Sequence, residues 1–184
     1  MGEMQSAMNS KSIVNRMVGA ARLDVATYED VEHDTTATTQ AVIVVALATV
    51  AGAIGGAGNG GRGVVAGVVG SLVGWAVFTA CVYYIGTRLL ASPSTSSTWG
   101  EVLRTTGFAY TPSILAVVGF IPVLGALVSF AAAIWFLVAS IVALKSALEV
   151  STGRAIAIGL LSALAAGIVI AIVSAIIGVG VYGT

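Results

Sequence analysis

Forty consecutive positions, Thr105 to Leu144, carry no charged side chain. Wound as one α-helix they would be about 60 Å long, while the hydrocarbon core of a bilayer is about 30 Å thick. Such a stretch cannot face water, and it is too long to cross a membrane once. It has to double back. Within it stands Gly119-Phe120-Ile121-Pro122. Pro122 has no N–H to donate and disfavours helical geometry at Ile121, and Gly119 suits a helix end. These four residues predict a tight turn at a membrane face, with Pro122 in the first turn of the helix that follows.

The remaining sequence extends that reading. Charged residues make up 9% of the chain and apolar ones 58%, with a mean hydropathy of +1.02. A water-soluble domain carries about 25% charge, so the chain reads as an integral membrane protein. Three further charge-free runs, 35–61, 63–87 and 155–184, each suit one crossing. The expected fold is an all-α, polytopic membrane helical bundle over residues 35–184, with five transmembrane helices at about 36–57, 63–87, 101–119, 122–148 and 155–182. The third span is the shortest. It borrows its first turn from Trp99, Glu101 and Arg104, so a re-entrant segment competes with a full crossing there. Charge sorting favours five spans. With residues 1–34 cytoplasmic, Lys11, Arg16, Arg22, Arg88, Arg104, Lys145 and Arg154 share one side, and Arg62 alone lies opposite. The expectation is a multi-pass protein of the cell membrane, N-terminus inside and C-terminus outside.

Residues 1–34 form a short cytoplasmic segment. Ile13, Val14, Met17, Val18 and Ala21 recur at helical spacing and predict an amphipathic helix, lying on the inner leaflet or packed under the bundle. After it come five acids and His33. Glu29/His33 and Asp30/Asp34 are i,i+4 pairs that two metal ligands on one helix could use, whereas a solvated acidic face with Asp34 capping the first span needs no metal. The solvated reading is the one taken, with no metal and no cofactor expected.

Several function classes drop out. A net charge of zero offers nothing to nucleic acid, and a lone Cys81 excludes an intrachain disulfide and any Cys-based zinc site. No Ser/His/Asp set, HExxH motif, intramembrane acid pair or phosphate loop is present, so no catalytic residue is assigned and no enzyme expected. Small residues repeat at i,i+4: Gly63/Gly67 and Gly70/Gly74 in span two, and Gly159, Ala163, Gly167 and Ala171 in span five. In lipid, such stripes let backbones approach closely, either within the bundle or between copies. Trp75 and Trp135 fall near mid-membrane, where each indole N–H needs a partner; Ser71, Thr79, Ser129 and Ser140 are within reach along the sequence. A polar cavity between spans two and four is one explanation, and simple packing is the other. Tyr110-Thr111-Pro112 is the most polar intramembrane cluster, with Pro112 expected to kink span three.

With the spans placed, residues 99–156 resemble the Yip1 domain family. The likeness rests on Arg104-x-x-Gly107, Ala109-Tyr110-x-Pro112, Ile121-Pro122, Trp135, Ala143-Leu144-Lys145 and Ser151-Thr152-x-Arg154-Ala155. The resemblance implies a five-span protein with a cytoplasmic N-terminus. Eukaryotic relatives bind small Rab-type GTPases and sister membrane proteins. The N-terminal segment here is short and the composition looks prokaryotic, which leaves a GTPase partner outside the expectation. The function expected is a non-enzymatic membrane scaffold or adaptor, self-associating or joined to another membrane protein. The alternative is a carrier or channel for a small or lipid-like solute.

Overall fold

A computed structural model of the chain describes residues 12–56, 64–93 and 95–182. Lys11, Arg62, Gly63 and the Asn59–Gly63 loop lie outside the described residues. The described elements are all helical. Two short helices, α1 (Ile13–Ala21) and α2 (Val25–His33), lead into α3 (Ala37–Gly55). Next come α4 (Val64–Tyr84), prolonged by a π-helical turn at Ile85–Leu89, and α5 (Trp99–Ala109). A 3₁₀ segment (Thr111–Phe120) follows, then α6 (Leu124–Leu148) and α7 (Thr152–Tyr182). Among the described residues, four helices are long and apolar enough to cross a membrane: Ala37–Gly55, Gly67–Leu89, Leu124–Leu148 and Thr152–Ile176.

The third expected span departs from the forecast of one helix over 101–119. It is an α-helix only to Ala109, and then runs as ten residues of 3₁₀ helix. Pro112 supplies the reason. Its ring excludes the carbonyl of Phe108 from the helical ladder, and that carbonyl instead accepts the Thr111 hydroxyl at 2.7 Å. Winding then resumes in i→i+3 steps, beginning with Ser113 N–H to the Tyr110 carbonyl at 2.9 Å. Runs this long are uncommon in 3₁₀ geometry, and this one is held by its neighbours. Gly107 lies against Ala41 and Trp75, and Gly119 against Gly55, so α3 and the 99–120 segment run side by side in one direction.

Three backbones converge near the far end of that pair. A Cβ on Gly55 would overlap the Ala116 backbone, one on Gly119 would stand 3.1 Å from the Gly55 carbonyl oxygen, and one on Gly125 would stand 2.5 Å from that of Gly119. The chain reverses between the last two. Leu124 N–H reaches the Pro122 carbonyl at 2.7 Å across Val123, whose φ is 64°. This is a tight γ-turn of the strained hand, so the reversal falls where the sequence placed it. Pro122 itself stands ahead of α6 and not in its first turn, because Val123 intervenes.

At the other end, α1 and α2 form a small hairpin. Ser12 accepts the Asn15 N–H and Asp24 that of Ala26, each at 3.3 Å, starting one helix apiece. Leu23 and Asp24 N–H groups turn back onto the Ala20 and Gly19 carbonyls, both at 3.0 Å, which closes α1. A Cβ on Gly19 would run into Thr27, so the two helices touch there. Ala20, Tyr28 and Val31 then join Ala41, Val44, Phe108 and Ala139 in one core. A second core gathers Val82, Val102, Leu144, Leu148, Ala155 and Ile158.

Candidate functional site

The hairpin is fixed to the bundle by polar contacts. Arg16, 1% exposed, donates from Nε to Asp30 at 2.8 Å, from Nη2 to Asp34 at 2.6 Å and from Nη1 to Gln40 at 3.0 Å. A buried guanidinium is tolerated only when each arm meets an acceptor, and this one spans α1, α2 and α3. Thr36 and Arg16 together hold the Asp34 carboxyl well below the usual carboxylate range. Asp34 also accepts the Thr36 N–H at 3.0 Å just before α3. The Asp30/Asp34 pair is therefore taken up by Arg16, and His33 Nδ1 faces the Glu29 carbonyl at 2.8 Å.

Arg104 secures the other end of α2. It is buried, and it donates from Nε to the Val31 carbonyl at 2.9 Å and from Nη2 to that of Glu32. Those carbonyls lack helical partners at the C-terminus of α2, where positive charge is favoured by the helix dipole. Trp135 makes a third attachment, donating from Nε1 to the Ala21 carbonyl at 2.7 Å. None of these long-range partners follows from sequence spacing. The partner of Trp75 also differs from those in reach along the sequence. Its Nε1 donates to Thr106 at 3.1 Å; Thr79 lies 3.1 Å from the same hydroxyl, and Thr106 passes its own proton to the Val102 carbonyl at 2.7 Å. Ser71 bonds with Thr49 and Ser140 with the Phe136 carbonyl.

Between α2 and α6 lies a cleft of about 330 Å³ lined by Glu29, Glu32, His33, Lys145, Ser146 and Glu149. Burial pushes the Glu32 carboxyl up to about 7, with Glu101 and Glu149 adding to the rise and His33 and Ser146 opposing it. The Glu29 carbonyl, chiefly, raises His33 above its ordinary value. Lys145 stands exposed at this rim, and Arg154 donates to the Ala91 carbonyl at 3.2 Å nearby in sequence to the α7 start.

A second space of about 530 Å³ lies between α4, α6 and α7. Gly74, Gly159, Ala163 and Gly167 line it together with Tyr110, whose ring tilts against Phe136 at 4.8 Å between centroids. Trp75 and Trp135 are not among its lining residues. The stripe residues have room. A Cβ on Gly67 would stand 4.0 Å from Thr49, one on Gly74 3.9 Å from Ile170 and one on Gly159 3.8 Å from Leu144. Among the described residues nothing stands within 4 Å of a Cβ on Gly70 or Gly167, and Ala171 is exposed. Close approach occurs instead at Gly55, Gly119 and Gly125, which no single-helix repeat marks out.

Comparison with known proteins adds one match. The family model of the Yip1 domain covers residues 25–174. No curated protein and no solved structure matches the chain.

Proposed function

Because the chain belongs to the Yip1 domain family, we propose that it serves as a non-enzymatic membrane scaffold or adaptor of the cell membrane, its N-terminal hairpin the inner-face platform and its outer helix the contact between copies. The observation that carries this reading is the rigid seating of α1 and α2 by Arg16, Arg104 and Trp135, with Val14, Val18 and Val25 left exposed. A hairpin so held can meet a partner without first paying to become ordered.

The platform lies inside if the chain crosses five times. A 3₁₀ helix rises about 2.0 Å per residue against 1.5 Å for an α-helix, so Thr105 to Phe120 reaches about 28 Å instead of about 24 Å. That nearly matches the hydrocarbon core. The broken third segment thus becomes long enough to cross, and the basic residues sort to the N-terminal side.

The groove beside α7 supports a second reading, a carrier of a lipid-like solute, since its lining is apolar apart from Tyr110 and Ser140. One variant separates the two. Gly167 lines the groove, and a Cβ there meets nothing within 4 Å among the described residues, so the leucine of Gly167→Leu has room to leave the backbone. In the scaffold reading it lowers the fraction of cross-linked oligomer in native membranes while lipid copurification is unchanged. In the carrier reading it displaces copurified lipid from the groove and leaves assembly alone. Cross-linking and native mass spectrometry of the same preparation give both readouts.

A further inference from the structure

The hairpin sits at an odd height. Trp135 lies about 15 Å along α6 from Lys145, at 1.5 Å per residue, and its indole holds the last carbonyl of α1. The charged turn that follows, Arg22 to Asp24, is therefore lifted to mid-height on α6. Arg22 and Asp24 are both exposed. Arg22 has a stem long enough to bend toward water, but Asp24 does not. Its carboxylate is fixed in place, accepting the Thr27 hydroxyl at 2.7 Å and the Ala26 N–H at 3.3 Å.

Elsewhere the inner charges keep to the helix ends. Arg88 lies in the π turn that ends the α4 rod, Lys145 and Glu149 end α6, and Arg154 opens α7. On the far side, α7 shows lipid a surface without charge from Ala155 to Ile176, with Leu160 at 68%, Leu164 at 64% and Ile176 at 67% exposure. An ionised carboxylate about 15 Å inside hydrocarbon costs several kcal/mol, a cost that local bilayer thinning and water defects relieve. Exposed Val14, Val18 and Val25 beside Arg22 and Asp24 suit the headgroup boundary, where an apolar face and charges can both be satisfied.

We infer that the α1–α2 hairpin draws the lipid headgroup layer up to mid-height on its face of the bundle, so that the protein sits in a bilayer of full thickness beside α7 and of about half thickness beside α6. The partner of this surface is the headgroup layer itself. Trp135, at mid-span by sequence counting, becomes an interfacial tryptophan. The inference rests on α6 crossing the membrane, and no protein partner or second copy enters it.

Spin labels test it on the full chain in phosphatidylcholine–phosphatidylglycerol vesicles, in a Cys81→Ser background. Val138→Cys reports the hairpin face of α6, and Leu164→Cys reports α7 at similar height, since Leu144 lies level with Gly159, 3.8 Å from where a Cβ there would stand, and the two helices run antiparallel. Collisions with a water-soluble nickel chelate should be several-fold more frequent at Val138 than at Leu164, and oxygen should show the reverse. Adding Arg22→Leu with Asp24→Asn, which keeps a cap at residue 24, should make Val138 as dry as Leu164. Equal dryness in the parent protein overturns the inference, whether lipid tails or a second copy cover the hairpin. So does a Val138 that stays wet after both charges are removed. Neither result touches the α7 contact between copies, which Gly167→Leu tests separately.

Discussion

One side of this bundle is packed backbone to backbone, and the other is held apart. On the first, α3, the 3₁₀ segment and α6 meet at Gly55, Gly119 and Gly125, where an added Cβ would overlap a neighbouring backbone oxygen at the first and stand 3.1 and 2.5 Å from one at the other two. On the second, α7 leans on α4 and α6 with Gly159, Ala163 and Gly167 facing a groove of about 530 Å³. The second side carries the longer run of small residues, yet the first is the tight one. Small residues bring helices together when each partner offers one at the same level. A stripe on one helix opposed by Phe78, Phe136 and Leu144 leaves a groove. In lipid, where apolar surface gains nothing by leaving its solvent, that geometric match decides which faces close.

The comparison can be broken most sharply at Gly119. Gly119→Val places a branched side chain against the Gly55 backbone, with no flexible atom to give way. Overpacking of this kind costs about 3 kcal/mol, so the variant should fail to accumulate as folded protein, read by size-exclusion in detergent and protease resistance. Normal yield and resistance would mean that the two sides do not differ in tightness.

A smaller effect should come from pH at the inner end of the tight side. Glu32 has an ordinary value of 4.5, raised to about 7 when α2 is seated. The seated form therefore holds the proton more firmly, and its advantage is complete below about 4.5 and is lost as pH rises through about 7. His33, also raised, has the same sign: its contribution is present below its ordinary 6.5 and fades as pH climbs through its raised value. Asp34, lowered by Thr36 and Arg16, acts oppositely but at far lower pH. One linked proton allows opening to grow by at most about tenfold per pH unit. Hydrogen exchange in α2, corrected for intrinsic rates, should show opening increase from pH 5 to 7, and Glu32→Gln should flatten most of that rise. An unchanged slope in Glu32→Gln would remove Glu32 from the account.

The smallest effect is expected on the loose side. A Cβ on Gly70 meets nothing within 4 Å among the described residues, and Gly70→Leu should shift thermal stability by less than about 0.5 kcal/mol. A large loss there would show that the open side closes in the membrane.

Much of this was open to a reader of the sequence. Four apolar runs mark the long helices, Pro122 and Gly119 mark the reversal, and Pro112 marks the break in the third segment. The family likeness rested on residues whose tasks the structure supplies: Arg104 closes the end of α2, and Trp135 holds the end of α1. What stayed hidden is non-local. The glycines that touch come one each from three elements, so no helical period connects them. Thr106 answers Trp75 across 31 positions, and Ala21 answers Trp135 across 114. The 3₁₀ winding was hidden too, since Pro112 announces a break without saying which helix resumes.

The order in which the chain leaves the ribosome gives Arg16 a distinct place. Its three acceptors stand 14, 18 and 24 positions downstream, whereas Arg104 reaches back 72 and 73 positions and Trp135 reaches back 114. The N-terminal fastening can thus form once residue 40 has emerged, while the remaining attachments wait for later segments to be synthesised. A nascent chain stalled after the first crossing already carries everything needed to neutralise its one buried guanidinium, so the earliest membrane-bound intermediate starts life with that charge accounted for.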